Sequence, residues 1–175
     1  MATSEHSNTS LPLAGIVEES IVDGPGLRFV LFTQGCEHHC PGCQNPATHP
    51  LTGGTWYEIA DLLQMYKENP LLAGMTFSGG EPFLHAKVLS QLAHEVHKLK
   101  GSIVTYTGYI YEDLKRMAKE EPDQGIAELL AETDLLIDGP YIEAERNLEL
   151  LFRGSQNQRL LDREARAQLD CASLT

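Results

Sequence analysis

At 175 residues, 42% of them hydrophobic, the chain holds enough apolar material for one packed core. It is too short for a complete eight-unit α/β barrel of about 250 residues. Its 13 Lys+Arg against 25 Asp+Glu give a net charge of −12, which argues against nucleic acid or an anionic membrane as partner but leaves room for a small anion held by local arginines.

Residues 1–10, MATSEHSNTS, lack the apolar core of a signal peptide and the Arg-rich face of a transit peptide. No run of about 18 apolar residues is present, so a soluble, cytoplasmic protein is expected. The expected organisation is a disordered tail over 1–12, a single domain over 13–162 and a C-terminal tail over 163–175. Residues 13–17 and 27–33 (LRFVLFT) read as strands, separated by the turn signal Asp23-Gly24-Pro25-Gly26. A cysteine loop follows from Gly35 to about Pro50, kept out of a helix by Pro41 and Gly42. Thr55 with Glu58 three residues on has the pattern of a capping box, predicting a helix that opens at Thr55 and carries Ile59, Leu62, Leu63 and Tyr66 on one face.

Residues 73–77 predict a short buried strand running into Ser78-Gly79-Gly80-Glu81-Pro82. Val88, Leu89, Leu92, Ala93, Val96 and Leu99 then mark one face of a helix that stops at Gly101. A strand over 102–106 leads to Thr107-Gly108-Tyr109, a helix over about 111–120, a break at Glu121-Pro122-Asp123, a helix near 126–132 and a strand over 135–138. Strands alternating with helices predict an α/β fold with a mostly parallel sheet, helical crossovers and about four or five βα units, an incomplete barrel or open sheet. In such folds ligands bind beyond the carboxyl ends of the strands, so the cysteines, Ser78-Gly79-Gly80-Glu81, Thr107-Gly108 and Asp138-Gly139-Pro140 are expected to face one site.

The chemistry concentrates in Cys36-x3-Cys40-x2-Cys43. Thiols clustered this tightly in a reducing compartment point to metal rather than to disulfides. A cubane iron–sulfur cluster commonly takes four cysteines, so three leave one iron open to a substrate. The rival is structural zinc, with His38, His39 or the distant Cys171 as fourth ligand. Gly79 and Gly80 allow close backbone approach to a ligand, and Glu81 can accept a hydrogen bond from an ammonium group. Thr107-Gly108 and Asp138 read equally well as turn residues. His38 and His39 are expected to be solvated, His85, His94 and His97 to lie on a helix surface, and Trp56 and Tyr57 to pack.

A Cys-x3-Cys-x2-Cys loop after one strand and a Gly-Gly-Glu after the next resembles the radical S-adenosylmethionine (SAM) superfamily. The resemblance implies a partial, open (β/α) barrel and a [4Fe–4S] cluster held by Cys36, Cys40 and Cys43. SAM would chelate the remaining iron, with Ser78, Gly79, Gly80, Glu81, Thr107 and Asp138 around it. Val22-Asp23-Gly24-Pro25-Gly26-Leu27-Arg28 and Cys40-Pro41-Gly42-Cys43-Gln44-Asn45-Pro46 are similar to the glycyl-radical-enzyme activases. Asp138-Gly139-Pro140-Tyr141 and the stretch from Leu151 to Asp162 resemble the activases of anaerobic ribonucleoside-triphosphate reductase. Gly42 and Gln44 stand where relatives carry aromatic residues, implying backbone or amide contacts to SAM. Tyr106 replaces an acidic residue, which argues against a cation beside SAM.

The resemblance implies that a flavodoxin or ferredoxin reduces the cluster, that SAM is cleaved to methionine and a 5′-deoxyadenosyl radical, and that this radical takes hydrogen from a glycine Cα of the reductase. Activation of another glycyl radical enzyme such as pyruvate formate-lyase is the nearer alternative. A non-catalytic zinc or iron–sulfur module is the more distant one. The Arg153–Asp162 stretch, with two arginines in an acidic chain, is expected to recognise an anion or a partner.

Overall fold

The computed structural model describes residues 8–172. Seven strands and five α-helices follow in chain order: β1 (Ser10–Ser20), β2 (Arg28–Thr33), β3 (Thr55–Glu58), α1 (Ile59–Glu68), β4 (Gly74–Gly79), α2 (Ala86–Lys98), β5 (Ser102–Tyr106), α3 (Tyr111–Glu120), α4 (Ile126–Glu132), β6 (Leu135–Asp138), β7 (Arg159–Asp162) and α5 (Arg163–Ala172). They build one sheet in the order β3-β1-β2-β4-β5-β6-β7.

The sheet is mixed, which corrects the mostly parallel sheet expected above. β2, β4, β5 and β6 pair in parallel, whereas β1 is antiparallel to both β2 and β3, and β7 is antiparallel to β6. The cause is connection length: only residues 21–27 join β1 to β2, less than the dozen or so residues a parallel crossover needs. Longer stretches containing α1, α2 and α3–α4 precede β4, β5 and β6, and these strands run parallel to their sequence predecessors in the sheet.

Alternation along the strands sends Phe29, Leu31, Met75, Phe77, Ile103, Leu136 and Leu161 into one core with Leu62, Leu89, Leu92, Val96, Leu114 and Leu129 from the helices. Burying each such side chain is worth about 1.5–3 kcal/mol, so this helix-covered face holds most of the stability. The intervening residues Arg28, Val30, Thr76 and Val104 are also buried, and Arg28, Thr76 and Val104 lie under the 21–27 segment. Thr76 Oγ1 donates to Asp23 O at 2.8 Å, and a Cβ on Gly24 would lie 3.0 Å from Val104 Cγ2. The fully buried Arg28 donates to Thr76 Oγ1 (3.1 Å), Ser102 Oγ (2.8 Å) and Ser102 O (2.9 Å), and burial lowers its pKa to about 10. The Asp-Gly-Pro-Gly turn is thus a lid on the second face.

Three further expectations change. Residues 55–58 form β3, not a helical turn: Thr55, Trp56, Tyr57 and Glu58 pair with Leu13, Pro12, Leu11 and Ser10, and the helix begins at Ile59 without a side-chain cap. Residues 10–12, expected in the tail, are therefore strand. The stretch expected as a C-terminal tail contains α5, fastened by the buried Arg166, which donates to Leu130 O at 2.6 Å and to Thr133 O. No helix among the described residues is long and apolar enough to cross a membrane.

Candidate active site

A cleft of about 500 Å³ opens beyond the carboxyl ends of the parallel strands, within the range of small-molecule sites. Cys36, Cys40, Cys43 and Gln44 line it from the loop after β2. Ser78, Gly79 and Gly80 come from the end of β4, Thr107 and Gly108 from the end of β5, and Gly139 from the end of β6. The 139–158 segment contributes a further wall through Tyr141, Phe152 and Arg153. Eight of the eleven residues singled out from the sequence thus meet in one place; Gly42, Glu81 and Asp138 do not line it.

Backbone contacts fix the cysteine loop against the loop after β4. Gly80 N donates to Thr33 O at 2.9 Å and Glu81 N to Gly35 O at 2.7 Å. A Cβ on Gly80 would fall 2.2 Å from Gly35 O, so the loops can approach only with glycine there. Cys43 N donates to Cys40 O at 3.1 Å, folding the last two cysteines into one turn, and Cys43 Sγ accepts from Asn45 N at 3.4 Å. All three are free thiols. Burial pushes the Cys36 thiol up from its ordinary range, with the negative Glu81 adding to the rise, so a thiolate there calls for a metal to offset it.

The donor set fits an iron–sulfur cluster better than zinc. Among the described residues no three His, Cys, Asp or Glu side chains, the three cysteines included, are gathered as the ligands of one metal ion would be. Three thiols along one cleft suit a cluster, whose ligands each hold a different iron. Cys171 is exposed on α5 and is not among the residues lining the cleft.

Glu81 carries a set of internal hydrogen bonds. Its carboxylate is buried, 1% exposed, and already filled from within the chain. It accepts from Phe83 N (3.0 Å), Gly108 N (2.9 Å), Thr107 Oγ1 (3.0 Å) and His38 Nε2 (2.7 Å). One carboxylate therefore ties together the ends of β4 and β5 and the cysteine loop. His38, expected to be solvated, is 17% exposed in its side chain, bonded to Glu81 and packed edge-on against Tyr109. His85 is also not a surface residue: its Nε2 donates to Gln34 O at 2.7 Å, and burial lowers its pKa. Local sequence carries no sign of these pairings, because the partners lie 43 and 51 residues apart.

Asp138 is fully buried and is not among the residues lining the cleft. Its carboxylate accepts from Tyr111 N at 2.7 Å, capping α3, and from Arg159 through Nε (2.9 Å) and Nη2. Arg159 in turn holds Glu112, so this arginine is structural. Gly42 takes a positive φ of +73°, where a Cβ would meet the Glu143 carboxyl carbon at 2.7 Å, making it a turn residue. Tyr106 is a cleft residue; its hydroxyl donates to Phe152 O at 2.9 Å and, by burial first and the negative Asp23 second, is held strongly protonated.

Residues 22–161 match the model of the 4Fe-4S single cluster domain family. The anaerobic ribonucleoside-triphosphate reductase-activating protein of Enterobacteria phage T4 is 34% identical over 148 residues, 79% of this chain and 86% of that one. The protein of the same name from Vibrio cholerae is 34% identical over 147 residues, 79% and 89% of the two chains. That of Escherichia coli K12 is 29% identical over 147 residues, 79% and 90%. The crystal structure of QueE from Escherichia coli overlaps in part, with a TM-score of 0.46 at 20% identity over 61% of this chain and 58% of that one. By the cluster-domain match and by identity over most of both chains, this chain belongs to the family of anaerobic ribonucleoside-triphosphate reductase-activating proteins.

Proposed function

We propose that this chain is a radical SAM activase that installs the glycyl radical of an anaerobic ribonucleoside-triphosphate reductase, and that its sheet curves as a partial (β/α) barrel around the cleft. The observation that carries the reading is the meeting of Cys36, Cys40 and Cys43 with Ser78, Gly79, Gly80 and Thr107 at one cleft. Cys36, Cys40 and Cys43 would hold a [4Fe–4S] cluster, which when reduced would supply the single electron for reductive cleavage of SAM and so the hydrogen abstraction from the glycine Cα.

The chain's own residues orient and shield. Cys36, Cys40 and Cys43 serve as cluster ligands, and the Gly79-Gly80 backbone offers carbonyls to the SAM ammonium without a Cβ intervening. Thr107, Gly108 and His38 are held by Glu81, so the rim is rigid before SAM arrives. Gln44 and Ser78 supply further polar contacts from the wall. No proton transfer is required, and no general base is assigned. A flavodoxin or ferredoxin is the class of donor suited to a low-potential cluster, and the net charge of −12 supports a role without nucleic acid. Activation of pyruvate formate-lyase and a non-catalytic module are not favoured, since the relatives share the reductase in their names.

The test is anaerobic incubation of the iron-loaded protein with the reductase, SAM and dithionite, followed by electron paramagnetic resonance. A glycyl doublet that is lost with Cys40→Ala supports the assignment. A doublet that persists in that variant overturns it.

A further inference from the structure

The two arginines of the Arg153–Asp162 stretch have opposite fates. Arg159 is surrounded by Asp138 and Glu112. Arg153 is the only Lys or Arg among the residues lining the cleft, and no ion pair involves it among the described residues. It donates from Nη1 to Gln158 O at 3.0 Å, while its Nε is buried with no hydrogen-bond partner. A buried donor without an acceptor is costly, and such a group in a cleft points to an acceptor arriving with a ligand.

The surrounding segment holds this arginine in place. Phe152 takes φ +59°, a left-handed conformation that a non-glycine residue adopts at a cost, and its carbonyl is clamped by the Tyr106 hydroxyl. Gln158 Oε1 accepts from Gly154 N at 2.9 Å and Ser155 N at 3.2 Å, and Gln158 Nε2 donates to Gly139 O at 3.2 Å. Backbone strain beside a fixed guanidinium in a cleft is the signature of a preorganised recognition group rather than of a surface arginine.

We propose that Arg153 is the receptor for the α-carboxylate of SAM. The assignment rests on the function proposed above. SAM carries an ammonium, a sulfonium and one carboxylate, and only the carboxylate complements a guanidinium. Arg153 is thereby a positioning residue that fixes the methionyl end of SAM, while the Ser78-Gly79-Gly80 backbone lining the same cleft suits its ammonium.

Cluster-loaded wild-type and Arg153→Gln protein are compared anaerobically by equilibrium dialysis against SAM and against decarboxylated SAM. Arg153→Gln is expected to weaken SAM about ten- to a hundredfold, as loss of a charge-assisted hydrogen bond does, and to bind the decarboxylated compound as wild type does. Arg153→Lys, which keeps the charge but loses the planar fork, should fall between. Unchanged iron content and circular dichroism establish that the variants fold. Equal weakening of both compounds, or of neither, overturns the assignment. So does loss of reductase binding with SAM affinity intact, which would place the guanidinium against the partner. If wild type binds neither compound, it is the SAM reading itself that fails.

Discussion

Replacing Glu81 by Gln keeps the side chain's shape, removes its charge and turns one acceptor oxygen into a donor. Oε1 receives Phe83 N–H at 3.0 Å, and Oε2 receives Gly108 N–H at 2.9 Å together with His38 Nε2 at 2.7 Å. Whichever way the amide is turned, its NH2 group meets a buried N–H donor in place of an acceptor. One orphaned buried donor costs about 1–3 kcal/mol, and the remaining bonds weaken from charge-assisted to neutral, which adds about 1 kcal/mol. The expected loss is therefore about 2–4 kcal/mol, measured by equilibrium urea unfolding of the metal-free protein. Thr107→Val removes the hydroxyl that bonds the same carboxylate and should be strongly non-additive with Glu81→Gln in a double-mutant cycle. A Glu81→Gln loss under about 0.5 kcal/mol would refute the argument and return the carboxylate to the role of free acceptor for a ligand amine.

Other outcomes follow from the same geometry. Gly80→Ala should abolish stable iron incorporation while leaving the protein folded, because its methyl group would sit 2.2 Å from Gly35 O at the start of the cysteine loop; iron and sulfide assays decide this. Asp138→Asn should lower stability by about 2–3 kcal/mol, discounted for the partly exposed Arg159, and leave SAM affinity unchanged by dialysis. His97 is bound through Nδ1 to Glu132 (2.6 Å) and Nε2 to Asp134 (2.9 Å); burial opposes its protonation, but the two carboxylates outweigh it and raise its pKa above 6.5. With the folded value above the unfolded one, its stabilisation is complete below pH 6.5 and is lost as pH rises through the folded pKa. His97→Gln should remove that slope from stability-against-pH curves, and a slope that survives would exclude His97 as its source.

How far the sequence could be read depends on the range of the interaction. β5, α3, α4 and β6 occupy the residues expected of them, because each has a clean period and a breaker at its edge: Gly101, Pro122 and Gly125. The three cysteines and the Gly-Gly pair are legible because their chemistry lies within a few residues and topology alone brings their loops together. Thr55 misleads for the opposite reason. Its Thr-x-x-Glu pattern is local, whereas the strand it joins is set by pairing with residues 10–13. The mixed sheet, the Glu81–His38 tie and the Asp138–Arg159 pair are likewise decided by partners distant in sequence. They give Glu81 and Asp138 internal partners that no short-range pattern announces.

Mössbauer spectroscopy of protein reconstituted with ⁵⁷Fe, recorded before and after SAM is added, tests the central claim most directly. If Cys36, Cys40 and Cys43 hold a 4Fe-4S cluster with one iron free of protein, a single iron site should change its isomer shift on addition of SAM while the other three stay as they were. Four equivalent sites indifferent to SAM, or no cluster at all, would contradict it.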